Sequence, residues 1–248
     1  MKKIILILFF VIALFAKDEL IFYCGITMYE PMKKIAHQIE KKYNVKIKFI
    51  QGGSGDLYDS LSSSKKGDLY LPGSDSYIYK HMNTGYFGYR KYIGYNQIAI
   101  FVQKNNPKNI KSLDDLLNPS FKISLGNAET CSIGKASIKV LKKYKGEEFL
   151  REVENNVLLY SFDSEDMNQL LKYKKIDVGL NWKATASFPK NRNYISIINI
   201  DEKYAPKNKL LLTMLTFSKH PKIVRALIDF ATSKDGKKIM KEYGFLDK

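Results

Sequence analysis

Residues 52–55 read Gly-Gly-Ser-Gly, directly after the alternating run Val45–Ile50 and just ahead of a segment of helical character opening at Asp56. A glycine-rich turn that leaves a strand and enters a helix lets backbone N–H groups come close to a negative guest. The helix N-terminus adds unpaired N–H groups and the positive end of a macrodipole. Gly53 supplies the close approach and Ser54 a hydroxyl, so the chemistry on offer is anion recognition by neutral donors. Asp56 has two readings: an acceptor for the proton of a partly protonated oxyanion such as phosphate, or an ordinary first-turn acid facing the helix dipole. Catalytic chemistry has less material. His37, His81 and His220 stand in unrelated local contexts, and the chain has neither a Gly-x-Ser-x-Gly elbow nor a zinc motif, so it does not read as an enzyme. Its 17 tyrosines make phenolate ligation of a metal conceivable, yet no His, Asp or Glu cluster has metal-ligand spacing. No cofactor is implied. Cys24 and Cys131 are the two cysteines; they read as buried free thiols, with a disulfide as the alternative that an oxidising compartment permits.

Elements that could position such a turn recur along the chain. Glu19–Gly25 is a short apolar strand ending in glycine. Pro31–Tyr43 is a helix with Met32, Ile35, Ala36, Ile39 and Tyr43 on one face and lysines opposite. After Gly52–Gly55 come a helix from Asp56 and a third strand at Asp68–Pro72. Further on, Lys122–Leu125, Val157–Tyr160, Val178–Trp182 and Tyr194–Ile200 read as strands, Ser132–Tyr144 and Ser164–Lys174 as helices. Leu210–Leu215 returns to the first half, and two helices between Pro221 and Phe245 close the chain. Strand, turn and helix in alternation give an α/β fold with mostly parallel sheets, whose ligands sit where strand ends meet helix starts.

The chain has 248 residues, 45% hydrophobic and 27% charged, which excludes a disordered or collagen-like protein. Met1-Lys2-Lys3 followed by the apolar run Ile4–Ala16 has the form of a secretory signal and is too short to span a bilayer. Export makes chromosomal nucleic acid an improbable partner for the net charge of +16, and the scattered lysines fit a solvated surface on outer helix faces.

These pieces, in this order, resemble the solute-binding proteins of ABC importers with the type II periplasmic-binding fold, and among them the molybdate/tungstate-type oxyanion binders. The resemblance rests on Gly25-Ile26-Thr27, Lys33-Lys34-Ile35-Ala36, Val45-Lys46-Ile47 with Gly52–Gly55, and Gly67–Leu71. It continues through Lys175–Trp182 and Leu227–Gly236 to Tyr243–Phe245. It implies a signal peptide over 1–16, a first lobe made of 17–101 and 212–248, and a second lobe of 102–211, each lobe a mixed, mostly parallel sheet flanked by helices. It implies ligand roles for Thr27, where the family has its first ligand serine, and for Ser54. In the second lobe it implies a backbone N–H at Cys131 and another at Ser164. Trp182 stands where the family often has a ligand tyrosine, a departure, since indole donates one N–H and no hydroxyl. The protein is then expected to be a periplasmic monomer. It would hold a tetrahedral oxyanion between two lobes, molybdate or tungstate before sulfate or phosphate, and deliver it to a membrane permease. The competing expectations are a ferric-ion or other metal carrier of the same fold, and a surface antigen or adhesin derived from it.

Overall fold

The computed structural model describes residues 17–246; the proposed signal segment lies outside them. β1 (Glu19–Gly25) leads through one 3-10 turn into α1 (Tyr29–Tyr43), β2 (Lys46–Gly52), α2 (Ser54–Ser64), β3 (Leu69–Leu71), α3 (Ser76–Lys80) and β4 (Phe87–Asn96). The second half runs β5 (Ile98–Gln103), β6 (Ile123–Gly126), α4 (Ser132–Asn156), β7 (Val157–Ser161), α5 (Ser164–Lys172), β8 (Val178–Trp182) and β9 (Ile195–Asn199). β10 (Asn208–Leu215), α6 (Pro221–Ala231) and α7 (Lys234–Glu242) complete the fold.

Two five-stranded sheets result, ordered β2-β1-β3-β10-β4 and β7-β6-β8-β5-β9. In the first, β1 runs parallel to β2 and β3 while β10 is antiparallel to β3 and β4. In the second, β6 is parallel to β7 and β8 while β5 is antiparallel to β8 and β9. The two lobes repeat one plan, and each mixes the two kinds of pairing evenly.

Alternation along β1 shows why helices cover both faces. Leu20, Phe22 and Cys24 join the core beneath α1 and α6, while Tyr23 packs on the opposite face with Leu57 and Leu61 of α2. On α1 Pro31, Met32, Ile35, Ala36 and Ile39 are buried, whereas Tyr43, expected on the same face, is exposed in the last turn, where Asn44 ends the helix in the left-handed region at φ 52°. The carboxyl ends of the parallel strands β1, β2 and β6 all finish on a glycine and open toward the gap between lobes.

The lobe boundaries fall earlier than the sequence reading placed them. β5 pairs on both sides within the second sheet, so the first crossing is at Gln97 and not between 101 and 102; all of β10 from Asn208 belongs to the first sheet, not only the part after 211. An apolar run buried on both faces carries no mark of which sheet it enters. At the first crossing the buried Asn96 Oδ1 accepts the N–H groups of Gln97 (2.9 Å) and Ala184 (3.3 Å). Ala184 and Phe188, just after β8, pack into the first lobe's core and tie the lobes together a second time.

Candidate functional site

A cavity sits where the two lobes meet, lined from the first lobe by Gly25, Thr27, Gly52, Gly53, Ser54 and Gly73, and from the second by Cys131, Ser132, Asp163 and Ser164 among others. The cavity is small, about 20 Å³. Of the residues expected to hold a ligand, Thr27, Gly53, Ser54, Cys131 and Ser164 come together on this wall. Trp182 does not.

Hydroxyl chemistry dominates the wall. Ser54 Oγ accepts the N–H of Gly73 at 2.9 Å, and Ser132 Oγ accepts the indole N–H of Trp182 at 3.3 Å. Each hydroxyl has an acceptor lone pair occupied by a protein donor, so its own proton remains to be donated elsewhere. Thr27 and Ser164 are buried, 6% and 4% exposed, and their hydroxyls find no partner among the described residues. Neither oxygen is sealed off among the described residues, so both hydroxyls are open to a guest in the cavity.

Helix ends add backbone donors. The N-termini of α2 and α4 carry no side-chain cap, which leaves first-turn N–H groups unpaired at the cavity. α5 differs: Asp163 caps it, with Oδ1 accepting the N–H groups of Glu165 (2.8 Å) and Asp166 (2.9 Å). Cys131 lines the cavity, but its N–H is committed to the Asn127 carbonyl at 3.1 Å and its thiol to the same oxygen at 3.0 Å. The expected Cys131 backbone donor is therefore engaged, and Ser132 stands next to it as the residue with a hydroxyl to give. Burial raises the Cys131 thiol to about 11, and it raises that of Cys24 further; both are free and buried.

Two glycines set how closely the lobes approach. A Cβ on Gly53 would strike the carbonyl oxygen of Thr130, and one on Gly73 would strike Ser132 Oγ. Both contacts join one lobe to the other. Trp182 departs from the expected ligand position: at 1% exposure it belongs to the second lobe's core, behind the wall, and its indole reaches Ser132. A ring that large fills the core beneath β8, and the smaller serine in front of it takes the wall position. Asp56 is exposed in the first turn of α2 and is absent from the wall, whereas Asp163 is part of it. Sequence reasoning missed Ser132, Gly73 and Asp163. Their signals were present as a serine at a helix start, a glycine after the Pro72 that follows β3 and an Asp in the N-cap position before Ser164.

The wall includes no Lys or Arg. Among the described residues no three His, Cys, Asp or Glu side chains gather to hold a metal ion, and no helix is long and apolar enough to cross a membrane. The arrangement can bind; none of its groups forms a nucleophile–base pair.

Residues 20–246 match the family model described as bacterial extracellular solute-binding protein. The chain belongs to that family. A Haemophilus influenzae protein described as a binding protein is 25% identical over 248 residues, covering 99% of each chain. The sulfate-binding protein SubI of Mycobacterium tuberculosis has the same fold with a TM-score of 0.80 at 16% identity, over 92% of this chain and 86% of that one. The periplasmic molybdate-binding protein of Azotobacter vinelandii gives 0.79 at 13% identity, over 92% and 98%.

Proposed function

We propose that this solute-binding protein captures a small tetrahedral oxyanion between its lobes and presents the closed form to the membrane permease of an ABC importer. The carrying observation is the set of four hydroxyls, on Thr27, Ser54, Ser132 and Ser164, gathered from both lobes with protons to donate into one small cavity. Uncapped N-termini of α2 and α4 add N–H donors and favourable dipoles. Neutral donors in a buried site balance a dianion without a counter-charge. Both lobes are needed to complete the donor set, so binding favours the closed arrangement by as much as the guest's affinity for the two states differs. The resemblance of the sequence favours molybdate or tungstate, with sulfate and phosphate as the alternatives; the one acid on the wall bears on that choice. Export to the periplasm fits the charged and apolar leader of the sequence.

A thermal-shift panel of molybdate, tungstate, sulfate and phosphate tests the reading. A bound anion at a hundred times its Kd raises stability by about 2.7 kcal/mol, and Tm rises with anion concentration. Stabilisation by ferric iron alone replaces the oxyanion with a metal.

A further inference from the structure

Resting on the oxyanion reading of the same cavity, we propose that Asp163 selects the guest: the site takes inorganic phosphate that still carries a P–OH group, in preference to sulfate, molybdate or tungstate. Apart from the buried, protonated Cys131 thiol, Asp163 is the one ionisable side chain on the wall, and no cation lines the cavity with it. Its neighbours do not serve instead. Glu165 is paired with Lys190 at 3.1 Å, Asp166 accepts the Phe162 N–H at 3.0 Å, and Asp56 is exposed and off the wall.

Asp163 is also held in place. The two α5 N–H bonds converge on Oδ1, which leaves Oδ2 with acceptor capacity to spare. An ionised carboxylate accepts and never donates. A fully deprotonated oxyanion beside it finds no proton to share and meets like charge. A P–OH group reverses the sign of that contact, because its proton makes a charge-assisted hydrogen bond to the carboxylate. The hydroxyls of Thr27, Ser54, Ser132 and Ser164 then serve the remaining phosphate oxygens. A phosphate monoester gives up its last proton near pH 6 and, above that, falls with sulfate on the rejected side. Inorganic phosphate has one proton more and keeps it.

Isothermal titration of the full chain at pH 8 against inorganic phosphate, sulfate, molybdate and glycerol phosphate tests this, alongside Asp163→Asn. Asn caps helices as well as Asp does, so the substitution removes the charge and keeps the cap. Asp163→Ser replaces it should the Asn variant fail to fold, as read by circular dichroism. The wild-type chain should bind phosphate at least tenfold more tightly than the other three. The variant should lose at least tenfold for phosphate and gain for sulfate. Sulfate, molybdate or glycerol phosphate matching phosphate on the wild-type chain overturns the role of Asp163 and leaves the oxyanion site standing; so does a variant with wild-type selectivity. Failure of all four anions to bind overturns the oxyanion reading itself.

Discussion

The two halves of the cavity wall are built differently although the lobes share one sheet plan. The first lobe brings backbone: Gly25, Gly52, Gly53 and Gly73 surround Thr27 and Ser54, and the turns follow strand ends directly. The second brings side chains anchored from behind. Ser132 is held by Trp182 from the core, and Asp163 is held by the α5 N–H groups. A wall made of backbone is sensitive to added volume, because the opposite lobe is already in contact with it. A wall made of anchored side chains is sensitive to a change of chemical group, because the shape behind it is fixed by packing.

Gly53→Ala gives the largest effect this comparison predicts. The new methyl meets the Thr130 carbonyl, which is backbone of the other lobe and cannot swing aside as a side chain would. Closure is blocked while each lobe's core is untouched. Anion affinity should fall at least a hundredfold, with the unliganded Tm within a few degrees of wild type. Calorimetric titration reads the first and a thermal melt the second. Retention of affinity would show that the lobes bind with the gap wider than this, and would remove the basis for treating the first wall as volume-limited.

Much of the first wall was legible from sequence. Gly52–Gly55 follows an alternating strand and opens a helix, and each of those signals is local. The apolar face of α1 was equally plain. What was not legible depends on partners distant in the chain. β4 alternates glycine, aromatic and charged residues through Phe87-Gly88-Tyr89-Arg90-Lys91-Tyr92, and it is a strand because β10 pairs with it across more than a hundred residues. α4 continues to Asn156 beyond the break at Lys145 and Gly146, where a glycine at φ 87° reads as a terminus. On the second wall Cys131 and Ser164 do line the cavity, but their neighbours Ser132 and Asp163 line it too and are not singled out by residue type. The Cys131 N–H is engaged by Asn127, so Ser132 next to it has the proton to give, and Asp163 stands beside Ser164 as its N-cap. Side-chain direction at a helix start depends on cap geometry, which residue types leave open by one position.

The same contrast separates two serine truncations of the next size. Ser54→Ala removes a donor to the guest and also leaves the buried Gly73 N–H without its acceptor. It should cost about 1–3 kcal/mol of stability and about 10–100-fold in affinity. Ser164→Ala removes a hydroxyl with no protein partner, so stability should move by no more than about 0.5 kcal/mol while affinity drops about tenfold. Urea denaturation and titration of both variants give the two ratios. Equal stability losses would mean that the Ser54–Gly73 bond contributes nothing to the fold.

Trp182→Phe probes the anchoring of the second wall and should have the smallest effect on binding. Phenylalanine keeps an aromatic ring in the core and deletes the N–H that Ser132 accepts. Ser132 Oγ then has a second rotamer open to it in which its proton is turned away from the cavity, so the fraction of molecules with the hydroxyl correctly aimed falls. Affinity should drop about threefold, a loss consistent with one weakened neutral hydrogen bond. Stability falls separately, by about 1–3 kcal/mol, from the unfilled volume. The two losses have different remedies. Adding Ser132→Ala to Trp182→Phe should leave affinity where Ser132→Ala alone puts it, because the indole acts on the guest only through that hydroxyl, while the stability loss from the missing ring volume persists in the double variant. If the two substitutions instead multiply in their effect on affinity, the tryptophan reaches the guest by another route and the second wall is not anchored from the core through Ser132.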